Sequence, residues 1–154
     1  MGEEELRLLG YCGLYCGLCA HRNRIPQRAK VLLETLHEEG WDTWYKYDSS
    51  IKDTFPVFWE LLESLTKLDC TCRTGGGPPD CKIRNCAREK RVNACPFCSE
   101  YPCDQIEGLA EHYVSAIQDG KRLQKIGLKK WVGEQDERAR RGVVYADTRI
   151  PWNE

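Results

Sequence analysis

The stretch "YCGLYCGLC", residues 11–19, carries Cys12, Cys16 and Cys19, and seven more cysteines follow in 34 residues: Cys70, Cys72, Cys81, Cys86, Cys95, Cys98 and Cys103. Thiols this dense coordinate a soft cation, pair as disulfides, or fill a core as small hydrophobes. Clustering among Gly, Pro and charged residues does not resemble core filling, so all ten are candidate metal ligands. Zn²⁺ takes about four soft ligands in a tetrahedron, and two cysteines two or three residues apart can wrap their sulfurs around one ion at a tight turn. Cys95-Pro-Phe-Cys98 has this spacing, as does Cys16-Gly-Leu-Cys19, where Gly17 is expected to supply a positive φ. Cys70-Thr-Cys72 is tighter. Cys81 and Cys86 lie on an expected helix and project at different angles.

Ten thiols do not divide by four. Two four-thiolate sites leave two over, and three sites need two more ligands, for which His21 is the nearest candidate. His37 and His112 sit in helical patterns and read as surface or packing residues. The spacings do not pair the ligands, and a site joining the amino-terminal cluster to Cys81 or Cys103 is one option. The opening cluster also has the Cys-x₃-Cys-x₂-Cys spacing of radical SAM enzymes, which need a large partial (β/α) barrel that 154 mostly helical residues do not supply. An iron-sulfur cluster for electron transfer is the alternative to zinc, because thiolate-rich sites accept either.

The elements that must position these sulfurs are helical. Pro26, the apolar series Ala29, Leu32, Leu33 and Leu36, and Gly40 predict a helix over 26–39, against which the aromatic stretch Trp41, Trp44, Tyr45 and Tyr47 is expected to pack. A second helix, capped by Asp53 or Thr54, carries Phe58, Leu61, Leu62, Leu65 and Leu68 on one face. "TGGGPPD" reads as a flexible turn, and a short basic helix is expected from Cys81 to about Val92. Beyond Asp104, the residues Ile106, Leu109, Ala110, Tyr113 and Ile117 predict one helix stopped by Gly120. "LKKWVGEQDERARRG" forms a last amphipathic segment, with Trp131 folding back on the core and Arg138, Arg140 and Arg141 near its end. The fold class is therefore mainly α: a helical core with an irregular cysteine-rich zinc-binding lobe. The chain is read as a single domain over 1–154, with the cluster 12–19, a helical spacer 26–69, the lobe 70–103 and a helical region 104–154.

Hydrophobic content of 41% and charged content of 31% describe a folded, water-soluble chain, and a net charge of −1 gives no global attraction to nucleic acid or membrane. The start, Met1-Gly2-Glu3-Glu4-Glu5, is acidic where a secretory leader is basic, and a cytoplasmic location is expected, where disulfides are rare.

"CGLYCGLC", then "CTCR", then "CKIRNCAREKRVNACPFCSEYPC" and a following helix resemble the prokaryotic family catalogued as Domain of Unknown Function 3795. The resemblance runs to about residue 110, and the carboxy-terminal "EQDERARRG" is similar to the extension of longer members. It implies a presumed metal-binding role without an established activity. "CTC" has one intervening residue where relatives more often have two.

No metalloprotease, P-loop, nucleophile-elbow or deaminase pattern is present, and cysteine-saturated zinc is a weak Lewis acid, which favours a structural ion over catalysis. A dithiol role for Cys95 and Cys98 would require a preceding strand that the sequence does not suggest. The expectation is a zinc-finger-like binding or adaptor module for a protein or other macromolecule. Arg84, Arg88 and Arg91, at i, i+4 and i+7 with Lys82 and Lys90 beside them, form a candidate stripe for nucleic-acid phosphate, or alternatively screen anionic metal-thiolate sites.

Overall fold

The structure, a computed structural model, describes residues 3–150. In chain order the helices are α1 (Glu3–Arg7), α2 (Ala20–Asn23), α3 (Ile25–Glu38), α4 (Trp41–Trp44), α5 (Phe55–Thr66), α6 (Lys82–Glu89), α7 (Asp104–Ala110), α8 (Ala116–Ile126) and α9 (Leu128–Arg140). The fold is mainly helical; among the described residues the pairing of Leu9 with Tyr15 is a single antiparallel bridge outside any strand. Among those residues no helix is long and apolar enough to cross a membrane. The chain divides into two compact units, one of residues 21–69 and one of residues up to 20 together with 70 onward.

In the unit 21–69, α3 and α5 pack together, as the two apolar periodicities require. Pro26 takes the second helical position rather than the first, and Gly40 ends the segment in the left-handed region at φ +73°. Beside its contact with α3, the aromatic stretch also reaches α5: the Phe55 ring stacks with Trp41 at 5.9 Å and with Tyr45 at 4.9 Å, while Trp44 and Tyr47 stay exposed. The buried stripe of α5 is also shifted from the expected one. Phe55 and Leu62 are buried, whereas Phe58 and Leu61 are 41% and 58% exposed. Because Phe55 supplies the ring on which the aromatics stack, it sets which side of α5 turns inward.

The other unit is built around Trp131, fully buried with Leu9, Tyr15, Leu18, Ala94, Leu123, Leu128 and Tyr145. The Tyr15 ring meets Trp131 edge-on at 5.8 Å, its backbone N–H donates to the Tyr145 hydroxyl at 2.9 Å, and its own hydroxyl donates to Asp136. Trp131 thus folds back as its amphipathic setting predicts. A second, smaller cluster of Ala87, Cys95 and Ile106 lies in the cysteine-rich part. That is little hydrocarbon for so much chain.

Two expectations fail here for identifiable reasons. The segment after Asp104 breaks between α7 and α8, and Gly120 lies inside α8 instead of stopping it. Gly120 is buried against Tyr101, whose hydroxyl donates to the carbonyls of Ala116 and Ile117 at 3.2 and 3.3 Å; a Cβ at position 120 would collide with that hydroxyl. The glycine is a contact requirement. The turn 74–80 is likewise not loose: Arg84, 5% exposed, donates to the carbonyls of Gly76, Pro78 and Pro79 at 2.7–2.9 Å.

Two outcomes follow for stability. Gly120→Ala should cost about 1–3 kcal/mol by overpacking, and adding Tyr101→Phe should recover part of that in urea melts; no recovery would mean that the hydroxyl is not what fixes the glycine. Arg84→Ala should cost about 2 kcal/mol by leaving three carbonyls without their charged donor. Arg84→Lys should restore only part, since an ammonium does not span the three.

Candidate metal centre

Both Cys-x-x-Cys segments take the same backbone form. Each is one 3₁₀ turn entered from extended backbone and left at a cysteine near φ −80°: Cys16–Leu18 between Tyr15 and Cys19, and Cys95–Phe97 between Ala94 and Cys98. In each the second cysteine's N–H donates to the first cysteine's carbonyl, at 3.0 Å for Cys19 to Cys16 and 2.8 Å for Cys98 to Cys95. Such turns bring the two side chains of a pair to one side, as chelation by a knuckle requires. Gly17, expected to supply positive φ, is not among the positive-φ glycines. It serves instead by having no side chain, because a Cβ there would run into the Tyr15 ring.

The second knuckle forms one gathering. Cys86 from the interior of α6, Cys95 and Cys98 from the turn, and Cys103 at the start of α7 line one cavity of about 20 Å³ together with Ala87, Lys90, Val92, Glu100 and Tyr101. Burial pushes the Cys95 thiol up to about 12, and repulsion from Cys103, Cys86, Cys98 and Cys81 adds to the effect. At the same cavity Lys90 bonds Glu100 at 2.6 Å, and its pKa is raised by that hydrogen bond first and then by the charges of Glu100, Cys98 and Cys86. Cys81 stands at the N-cap of α6, outside the cavity lining.

The first knuckle gathers a different set. Cys16 is raised by burial, against which the Cys72 backbone N–H acts, with further repulsion from Cys72, Cys19 and Cys70. The chain at residues 70–73 is fixed there by Arg73. Its Nε donates to the carbonyls of Leu6 and Leu9 at 2.7 and 2.8 Å, its Nη2 donates to the Asn93 carbonyl at 2.5 Å, and its guanidinium lies 4.6 Å from the centre of the Tyr11 ring. Gly76 packs on the Cys70 sulfur with no room for a side chain. Cys12 lies near both gatherings. Burial pushes it up to about 12, the Leu14 N–H opposes this, and Cys72, Cys16 and Cys95 all repel its thiolate.

The amino-terminal cluster is thus neighboured by Cys70 and Cys72, while Cys103 falls with Cys86, Cys95 and Cys98. None of the ten cysteines is joined in a disulfide. Among the described residues no three His, Cys, Asp or Glu side chains close tightly enough to hold an ion as they stand. Neutral thiols have no reason to close further, whereas a tetrahedral zinc would draw its sulfurs to roughly 3.8 Å of one another, given a Zn–S bond of about 2.3 Å. In donor chemistry the second gathering fits zinc, since four thiols from three segments line one cavity.

His21 is exposed, His37 bonds Asp42 at 2.9 Å, and His112 bonds the Ile150 carbonyl at 3.0 Å. The basic stripe does not survive. Arg84 is buried in the turn it clamps, Arg91 lies beyond the end of α6 at φ +56°, and exposed Arg88 lies 5.4 Å from the Tyr11 ring. Sequence reasoning missed Arg73 and the Lys90–Glu100 pair. The adjacency in "CTCR" and the opposite charges of Lys90 and Glu100 on either side of Cys95–Cys98 were the available signals.

A family model described as "Protein of unknown function (DUF3795)" matches residues 8–108, a span holding all ten cysteines. No curated protein and no solved structure matches the chain. With well over half of its length matched, the chain belongs to the DUF3795 family.

Proposed function

We propose that this is a metal-binding protein whose cysteines hold structural zinc, and that its folded surface serves as a binding or adaptor module, without catalysis. The observation that carries the reading is the cavity of about 20 Å³ lined by Cys86, Cys95, Cys98 and Cys103. Four soft donors from three separate segments line it. Bound zinc would supply no more than a fixed tetrahedral link among α6, the 3₁₀ turn and α7, since four thiolates quench its acidity. Each coordinating thiol gives its proton to solvent, which removes the penalty that burial imposes on a bare thiolate. Lys90, beside Cys86 and Cys98, then offsets part of the negative charge that four thiolates leave on a divalent ion.

An iron-sulfur centre is favoured by one feature only, the Cys-x₃-Cys-x₂-Cys spacing at residues 12–19.

Protein purified without oxygen should be colourless and carry zinc, and the double variant Cys95→Ser, Cys98→Ser should lose one equivalent and melt at lower temperature. Less than one equivalent of zinc or iron in the parent would refute metal binding. A brown sample containing iron and labile sulfide would replace zinc by the cluster reading.

A further inference from the structure

The boundary between the two compact units falls at cysteines. The unit 21–69 begins two residues after Cys19 and ends one residue before Cys70, so its two connections to the rest of the chain are flanked by thiols. At the base of that unit Arg22 pairs with Asp69, so the outgoing and returning strands lie together. On the other side of the boundary, Cys16 and Cys19 occupy the ends of a 3₁₀ knuckle equivalent to the one that lines the four-thiol cavity. Cys72 begins the 3₁₀ turn Cys72–Thr74, and Arg73 ties that turn to the carbonyls of Leu6 and Leu9, immediately before the amino-terminal cluster. An ideal Cβ on Gly10 would lie 3.5 Å from the Cys12 sulfur and 3.9 Å from the Cys72 Cβ, which places the returning chain beside the outgoing one.

We infer that Cys16, Cys19, Cys70 and Cys72 form a second zinc site, whose ion clamps the two chain crossings through which residues 21–69 leave the cysteine-rich lobe and return to it. This rests on the zinc reading above but uses none of the same thiols. Two knuckles thus serve two ions, and Cys12 and Cys81 are the two thiols left over. The device makes physical sense. A chain that departs at residue 19 and returns at residue 70 must hold its ends together against the entropy of the intervening segment, and a four-thiolate ion joins them with one link. The neighbours already found around the Cys16 thiol, namely Cys72, Cys19 and Cys70, are the same set.

The test counts zinc by native mass spectrometry on the full chain purified without oxygen, and reads amide hydrogen exchange. The parent should hold two zinc ions. The pair Cys16→Ser, Cys19→Ser should hold one and exchange at least tenfold faster over 64–73, with 82–110 unchanged; Cys12→Ser and Cys81→Ser should each keep both ions. Should the paired variant fold poorly, the parent itself serves: withdrawing its zinc with a chelator should raise exchange over 64–73 as well as over 95–103. A parent holding one ion that Cys95→Ser, Cys98→Ser removes and Cys16→Ser, Cys19→Ser does not would overturn the clamp and leave the structural-zinc reading intact. A parent holding two ions, of which the amino-terminal pair removes neither, would overturn it equally, as would loss of an ion with unchanged exchange at 64–73. A parent without zinc would overturn both readings.

Discussion

A sulfur taken out of water must keep its proton or take a cation in its place, and this constraint governs the middle of the chain. Burial pushes both Cys12 and Cys95 up to about 12, so neither is a thiolate near neutral pH without a cation to hold it. A hydrocarbon core could have done the organising, but around the second knuckle only Ala87, Cys95 and Ile106 form the buried cluster. Most of the unit's burial lies elsewhere, around Trp131 and Tyr15. The cysteine-rich part has the donors for coordination and lacks the carbon for a core, a combination common where metal substitutes for burial.

What holds the thiols near one another without an ion is a set of hydrogen bonds to backbone carbonyls, most of them from guanidinium groups. Arg73 ties residues 72–74 to the amino-terminal segment, Arg84 folds the glycine-proline turn back onto α6, and the Cys95 N–H donates to the Tyr11 carbonyl at 2.7 Å. Guanidinium groups are suited to this because one side chain satisfies several carbonyls at once. The result is a pre-assembled but open arrangement. Two knuckles share one local form, and further thiols neighbour each of them.

Much of this was legible in the sequence. Periodicity placed α3 and α9 within a residue or two and carried α5 three residues too far at its end. The departures have local causes. Gly120 reads as a helix stop because glycine usually is one, and only the position of the Tyr101 hydroxyl shows otherwise. Phe58 and Leu61 read as core because helical spacing does not say which of two apolar stripes faces inward; the stacking of Trp41 and Tyr45 on Phe55 decides it. Arg84 reads as one of a basic stripe because spacing places side chains on a face but does not show a neighbouring turn curling over that face. Which knuckle neighbours which distant thiols depends on Arg73, a residue no spacing rule singles out.

X-ray absorption at the zinc edge addresses the coordination directly. Zinc in the protein as purified should show four sulfur neighbours at about 2.3 Å and no nitrogen or oxygen in the first shell. A shell of nitrogen and oxygen at about 2.0–2.1 Å would instead mean that these thiols are not the ligands and that the sulfur-based account is wrong.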